Sequence, residues 1–316
     1  MLKKFLRFIL AAALLIQSFT FLAKFYWFFE LFTHYAPYYA VFAILFSLLA
    51  LLRRDFTALL LWVTLALINV GLVLPTLAVH APTAVKGEAL TILSQNFYYL
   101  NDQVDEFVDL VSAENPDIII VHEASDLWRT AKEKLRDKYP TLHLTHNTGI
   151  HGIFIASRIP GTFKEVPLGK QVGLVFTPDD LSYQLLAVHP NAPITPAWAK
   201  DRNEQFAEIA RLTATSSVPV IVMGDFNCTQ WSPLYTDLLQ NSGLKNAAVG
   251  FGFIPTWHAH NPLFQLPIDH ALVSPSLNVS DFQSTAATAS DHKGIILTIQ
   301  KPVPEVTVTS PPNSAH

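Results

Sequence analysis

"PVIVMGDFNCTQWSP", residues 219–233, reads as a buried strand that stops on polar residues. Val220 to Met223 is apolar without a break, and the run ends in Gly224, Asp225, Phe226 and Asn227. Gly, Asp and Asn are ordinary turn residues, so by itself the stretch marks only a strand end. Strand alternation would put Asp225 and Asn227 on one face, with Phe226 on the other. The same pattern recurs along the chain, and the recurrence decides the fold. "TILSQN" ends in Asn96, "DIIIVHE" ends in Glu123, and "LLAVHPN" carries His189 and Asn191. "PIDHALVS" opens with Asp269 and His270, and "TAATASDHKGIILTI" has Asp291 and His292 just before its apolar run. In a shared sheet these polar ends converge on one edge.

Between the strand-like runs lie segments of helical character. "QVDEFVDLVSAEN" spaces Val104, Phe107, Val108 and Val111 for one helix face, and "PAWAKDRNEQFAEIARLTA" predicts a second helix. "DLWRTAKEKLRDKYP" predicts a charged amphipathic helix ended by Pro140. Alternating helices and fully apolar strands predict an α/β domain with its sheet covered by helices. That domain is expected over residues 81–300, with a disordered Pro- and Ser-rich tail over 301–316.

Residues 1–80 differ in kind. The chain has 316 residues, 50% of them hydrophobic and only 15% charged, and its apolar excess lies at the front. Runs at roughly 8–23, 35–52 and 56–79 are long enough to span a bilayer, which predicts a membrane anchor of three transmembrane helices. Lys3, Lys4 and Arg7 precede the first run, and Arg53 and Arg54 separate the second from the third. By the positive-inside rule both groups lie in the cytoplasm, and everything from about Ala81 lies outside it. In a bacterial chain this makes a multi-pass inner-membrane protein with a periplasmic domain. The single cysteine, Cys228, excludes an internal disulfide.

Of 21 Lys+Arg and 25 Asp+Glu, residues 1–85 hold 6 and 2, leaving 15 and 23 and a net charge of −8 on the remainder. Such a domain repels duplex nucleic acid. Only Lys164 with Lys170, and Lys200 with Arg202, offer a local basic patch. Clustered carboxylates, carboxamides and imidazoles suit a hard divalent cation, Mg²⁺ or Mn²⁺, sharing its coordination with phosphate oxygens. The chemistry that follows is metal-assisted hydrolysis of a phosphoric ester.

Asn96, Glu123, "HGIFIASR", "AVHPN", "GDFN", "IDHALVS" and "SDHKGI" occur in an order that resembles the endonuclease/exonuclease/phosphatase superfamily over nearly all of residues 88–300. The resemblance implies a four-layer α/β sandwich, two packed sheets flanked by helices, here preceded by the three transmembrane helices. It implies that Glu123 binds the metal, assisted by Asn96 and Asp291. Asp225 should position or deprotonate water, and Asn227 should hydrogen-bond phosphoryl or nucleophile oxygens. His292, oriented by Asp269, should contact the scissile phosphate, with His189 as the second phosphate-contacting histidine. An acidic partner for His189 is not assignable, and His151 lies near its place. His270 should point to the opposite strand face from Asp269 and either be structural or support the site residues from behind.

The three-span front end resembles the membrane-anchored bacterial branch that includes the VanJ-type teicoplanin-resistance proteins, which implies a lipid-linked phosphate or diphosphate as substrate. A periplasmic nuclease and a non-catalytic membrane sensor are the alternatives, and no protein partner is inferable. Trp198, Trp231, Phe251, Phe253, Trp257 and Phe264 either line the site mouth or anchor loops.

Overall fold

A computed structural model describes residues 2–80 and 88–301. Apart from Lys301, the tail expected to be disordered lies outside the described residues. The chain begins with helices α1 (Leu2–Phe21), α2 (Trp27–Glu30), α3 (Ala36–Leu52) and α4 (Phe56–Val73). Three helical stretches, Lys3–Phe21, Trp27–Leu52 and Phe56–Leu77, are long and apolar enough to cross a membrane. Arg53 and Arg54 turn the chain between the last two, and Asp55 caps α4 by accepting the Ala58 N–H at 3.3 Å.

There follow β1 (Ala89–Asn96), α5 (Val104–Glu114), β2 (Ile118–His122), α6 (Trp128–Ala131), β3 (Thr141–Leu144), β4 (Ile153–Ser157), β5 (Gly161–Leu168) and β6 (Gln171–Pro178). The chain ends with β7 (Gln184–Val188), α7 (Pro196–Ala214), β8 (Val220–Asp225), α8 (Pro233–Ser242), β9 (Lys245–Asn246), β10 (Asp269–Val273), β11 (Val279–Ser284) and β12 (Ile295–Gln300). Two six-stranded sheets form, ordered β11-β12-β1-β2-β4-β3 and β5-β6-β7-β8-β10-β9. Each has one parallel pair at its centre, β1 with β2 across α5 and β7 with β8 across α7.

The uninterrupted apolar strands reflect burial on both faces. Ile118 and Ile120 of β2 meet Ile221 and Met223 of β8 in the core between the sheets. Ile119 and Val121 face outward onto Phe107, Val111 and Trp128. Val220 and Val222 likewise cover Phe206 and Ile209 of α7 and Tyr235 and Leu238 of α8. The result is the expected order of helices, sheet, sheet, helices.

The segment after Asp126 differs from expectation. Only Trp128–Ala131 is α-helical, followed by a 3₁₀ turn at Lys132–Lys134. Trp128, Ala131, Leu135 and Tyr139 are still buried against the first sheet, with the Tyr139 hydroxyl donating to Pro116 O at 2.8 Å. The apolar spacing is thus satisfied by successive tight turns. The hairpin of β5 and β6 carries little alternation that a sequence reading could use, and Pro167 sits inside β5.

Candidate active site

The ends of β1, β2, β7 and β8 and the starts of antiparallel β10 and β12 gather at one edge of the sandwich. Asp225 is the centre of this edge and is almost fully buried. Its Oδ1 accepts the Asn227 N–H at 2.7 Å. Its Oδ2 accepts Asn96 Nδ2 at 3.1 Å and lies 3.5 Å from His189 Nε2 and 3.6 Å from His292 Nε2. One carboxylate thus stands between two imidazoles.

Gly224 permits the approach of β7 to β8. A Cβ there would lie 1.8 Å from Val188 O, so any side chain would push the two strands apart. Asn227 does not continue the strand, as alternation had suggested. It takes a left-handed backbone at φ 49°, its amide donates to Pro190 O at 3.0 Å, and it lies 3.3 Å from His189 Nε2. Phe226 does turn away, packing on Phe206 and His270. Glu123 also has positive φ, at 55°. Such conformations at non-glycine residues concentrate where surrounding contacts impose them, often at functional sites.

Hydrogen bonds at Nδ1 of His189 and of His292 leave Nε2 of each ring facing Asp225. His189 Nδ1 faces Ile150 O at 2.9 Å, and a carbonyl can only accept, so Nδ1 carries a proton and Nε2 faces the carboxylates. That carbonyl occupies the place where an acidic partner was sought. His151, whose ring is 6.5 Å from that of His189, does not fill it. Burial opposes a charge on His189, but Asp225 and Glu123 outweigh it and raise its pKa. His292 donates from Nδ1 to Asp269 Oδ2 at 2.9 Å. Burial again opposes the charge, yet Asp269 and Asp225 hold the His292 pKa up to about 10. His270 behaves as expected of a structural residue, with Nε2 donating to Cys228 O at 2.7 Å and burial lowering its pKa to about 4.

Asn96 joins Glu123 to Asp225. Its amide donates to Glu123 Oε1 at 2.9 Å as well as to Asp225, and its Oδ1 accepts the Tyr98 N–H. Glu123 Oε2 accepts the Tyr99 N–H at 3.0 Å. The third residue expected at the metal, Asp291, accepts Trp257 Nε1 at 3.1 Å, its only side-chain hydrogen bond among the described residues. The structure therefore brings Asn96, Glu123 and Asp225 into direct contact and holds Asp291 beside His292. Donor atoms of Asp225, Asp269 and His292 lie within 4.8 Å of one another, a spacing that admits a metal ion.

The donor chemistry fits a divalent cation. Among the described residues no Lys or Arg forms an ion pair with Glu123, Asp225, Asp269 or Asp291, so the carboxylates outnumber the two imidazoles that face them.

Sequence reading missed several supports. Ser290 Oγ donates to Asn96 O at 2.6 Å and accepts the His292 N–H at 3.0 Å, tying the "SDH" turn to β1. Ser290 belongs to the "SDHKGI" segment itself. The Ile150 carbonyl has no side-chain signature. His122 lies beneath the site, 3.0 Å from Ser94 Oγ, and burial lowers its pKa to about 3.

Residues 93–292 match the Endonuclease/Exonuclease/phosphatase family. The chain belongs to that family. Hydrolysis of phosphoric esters goes with this membership. Comparison with curated protein sequences returned no match. Among solved structures, an endonuclease/exonuclease/phosphatase from Beutenbergia cavernae is 18% identical, covering 68% of this chain and 72% of its own, with a TM-score of 0.56. D. rerio TDP2 complexed with a single-strand DNA product is 14% identical, covering 67% of this chain and 99% of its own, with a TM-score of 0.56. The Neisseria 3′ phosphatase NExo bound to a product DNA hairpin is 17% identical, covering 66% and 98%, with a TM-score of 0.54. At these identities the likeness concerns the fold.

Proposed function

We propose that this family member is a membrane-anchored, divalent-metal-dependent hydrolase acting outside the cytoplasm on a lipid-linked phosphate or diphosphate. The observation that carries the reading is the contact between the second membrane-spanning helix and a loop flanking the site. Tyr38 of α3 donates to Gln265 O at 3.0 Å and stacks on Phe264, whose centroid is 5.7 Å away. The same loop contributes Trp257, the partner of Asp291. A site held this close to the bilayer suits a substrate confined to the bilayer. Lys3, Arg7, Arg53 and Arg54 line one cavity of about 390 Å³ at the other end of the bundle, which supports a cytoplasmic N-terminus.

In this reading Glu123, with Asn96 beside it and Asp291, would hold Mg²⁺ or Mn²⁺. When bound, the ion neutralises phosphoryl charge. Asp225 would orient the attacking water or take its proton. His292, kept protonated by Asp269, donates from Nε2 to a phosphoryl oxygen as charge builds there. His189 Nε2 and the Asn227 amide offer the remaining hydrogen bonds.

The DNA products bound to D. rerio TDP2 and to Neisseria NExo favour a second reading, a nuclease. The candidate basic patches oppose it. Arg202 is fully buried and paired with Glu30, and Lys170 pairs with Asp201 at 2.9 Å. The deciding experiment offers the full chain in lipid nanodiscs, with Mg²⁺ or Mn²⁺, four substrates in parallel: prenyl diphosphates, phospholipids, plasmid DNA and a generic phosphodiester. Cleavage of a lipid phosphate is expected, and cleavage of DNA alone would sink the proposal.

A further inference from the structure

Glu30 is a buried carboxylate that the proposed reaction does not use. It lies in α2, at the start of the second apolar stretch, and every partner that its carboxylate hydrogen-bonds belongs to the catalytic domain. Arg202 of α7 donates from Nη2 to Oε2. Ser232 Oγ donates to Oε1 at 2.7 Å, and Cys228 Sγ lies 3.8 Å from the same oxygen. Glu30 and Arg202 are both fully buried. Four residues on, His34 Nδ1 lies 3.0 Å from Thr229 Oγ1 and accepts the Thr229 N–H at 3.4 Å. Trp231 packs on Ala36 and Val73 of the anchor.

Cys228, Thr229, Trp231 and Ser232 follow directly on Asp225 and Asn227. The segment that leaves the centre of the site is therefore secured at its far end by the anchor. A simple tether needs no such contact. Removing two charges from water is costly, and one left without its partner is costlier still. The anchor also joins the domain edge elsewhere, where the His80 N–H donates to Gly250 O at 2.7 Å and the Gly252 N–H to Ala78 O at 3.0 Å.

We infer that Glu30 and His34 are positioning residues for segment 225–232, so that the anchor completes the active site as well as locating it. The catalytic half of this inference rests on the proposed function. The structural half does not.

The test uses the full chain in nanodiscs as wild type, Glu30→Gln, Ser232→Ala and Thr229→Val. Hydrogen exchange followed by mass spectrometry reads residues 226–232, with residues 89–96 and 118–122 as internal controls. Turnover of bis(p-nitrophenyl) phosphate with Mg²⁺ gives kcat and KM. Exchange at 226–232 should quicken about tenfold with the controls unchanged. Turnover should fall about tenfold in kcat with KM within about twofold. If Glu30→Gln fails to fold, Thr229→Val decides, because it is near-isosteric and strands no buried charge. Unchanged exchange at 226–232 in folded Thr229→Val and Ser232→Ala overturns the inference, and so does faster exchange with unchanged kcat. A wild type inactive on every ester overturns the proposed function, while the exchange comparison still decides whether the anchor holds the segment.

Discussion

Asp269 Oδ2 holds His292 Nδ1 at 2.9 Å, which leaves His292 Nε2 aimed at Asp225 Oδ2, 3.6 Å away. The pair fixes both the direction and the charge of the imidazole. Asp269→Asn keeps the shape and removes the charge that does most to raise the His292 pKa to about 10. We expect kcat to fall by about 10²-fold or more, the alkaline limb of the pH–rate profile to move to lower pH, and the circular dichroism spectrum to stay unchanged. Near-normal kcat in this variant would remove His292 from the mechanism.

Gly224→Ala tests the packing that brings His189 to Asp225. The added Cβ would meet Val188 O at 1.8 Å, backbone against side chain with no flexible group to yield. Separation of β7 from β8 should cost about 1–3 kcal/mol. It should also lower kcat, because the two strands carry the two residues. A melting temperature within a degree of wild type would contradict the close approach.

The polar strand ends were legible because each follows or precedes an apolar run, and runs of that length buried on both faces must share a layered core. Asn96, Glu123, Asp225 and His292 accordingly emerge at one edge. What the sequence hides is backbone geometry. Asn227 leaves the strand through a left-handed turn, which alternation cannot foresee, and His189 is oriented by the carbonyl of Ile150. Arg202 read as a surface cation because its partner, Glu30, lies 172 positions away in an apolar segment. Trp231, Phe253 and Phe264 pack against the N-terminal helices, while Trp257 reaches the site.

Two buried histidines should make the fold acid-sensitive. Burial lowers the pKa of His122 to about 3 and that of His270 to about 4, from 6.5. The unfolded chain therefore binds protons first as pH falls. Their contribution to stability is complete above about pH 6.5 and is lost as pH drops toward the folded values. Denaturant midpoints should decline from pH 6.5 to 4. His270→Gln should flatten that slope while lowering stability at neutral pH, since the bond to Cys228 O is weakened. An unchanged slope would show that the ring is not neutral in the folded protein.

Chelation should abolish activity, and Mg²⁺ or Mn²⁺ should restore it. Divalent binding should also raise the melting temperature of the wild type, because an ion bound only by the folded state stabilises it. Glu123→Gln should weaken divalent binding measured by calorimetry by at least about tenfold. If it leaves affinity unchanged, the ion is held by the Asp225, Asp269 and His292 group instead.

Cys228 reports on the seam between the N-terminal helices and the α/β domain. It is fully buried, and burial, with Glu30 adding to it, pushes the thiol pKa up to about 12. Only the thiolate reacts readily, so the native full chain should resist maleimide labelling at neutral pH. Expression of residues 81–316 alone removes Glu30 from beside Cys228 and His34 from beside Thr229, and leaves Arg202 without its carboxylate. Labelling of that fragment should be faster by at least about tenfold while its sheets remain folded by circular dichroism. Equal protection in the fragment would mean that segment 228–232 packs without the N-terminal helices.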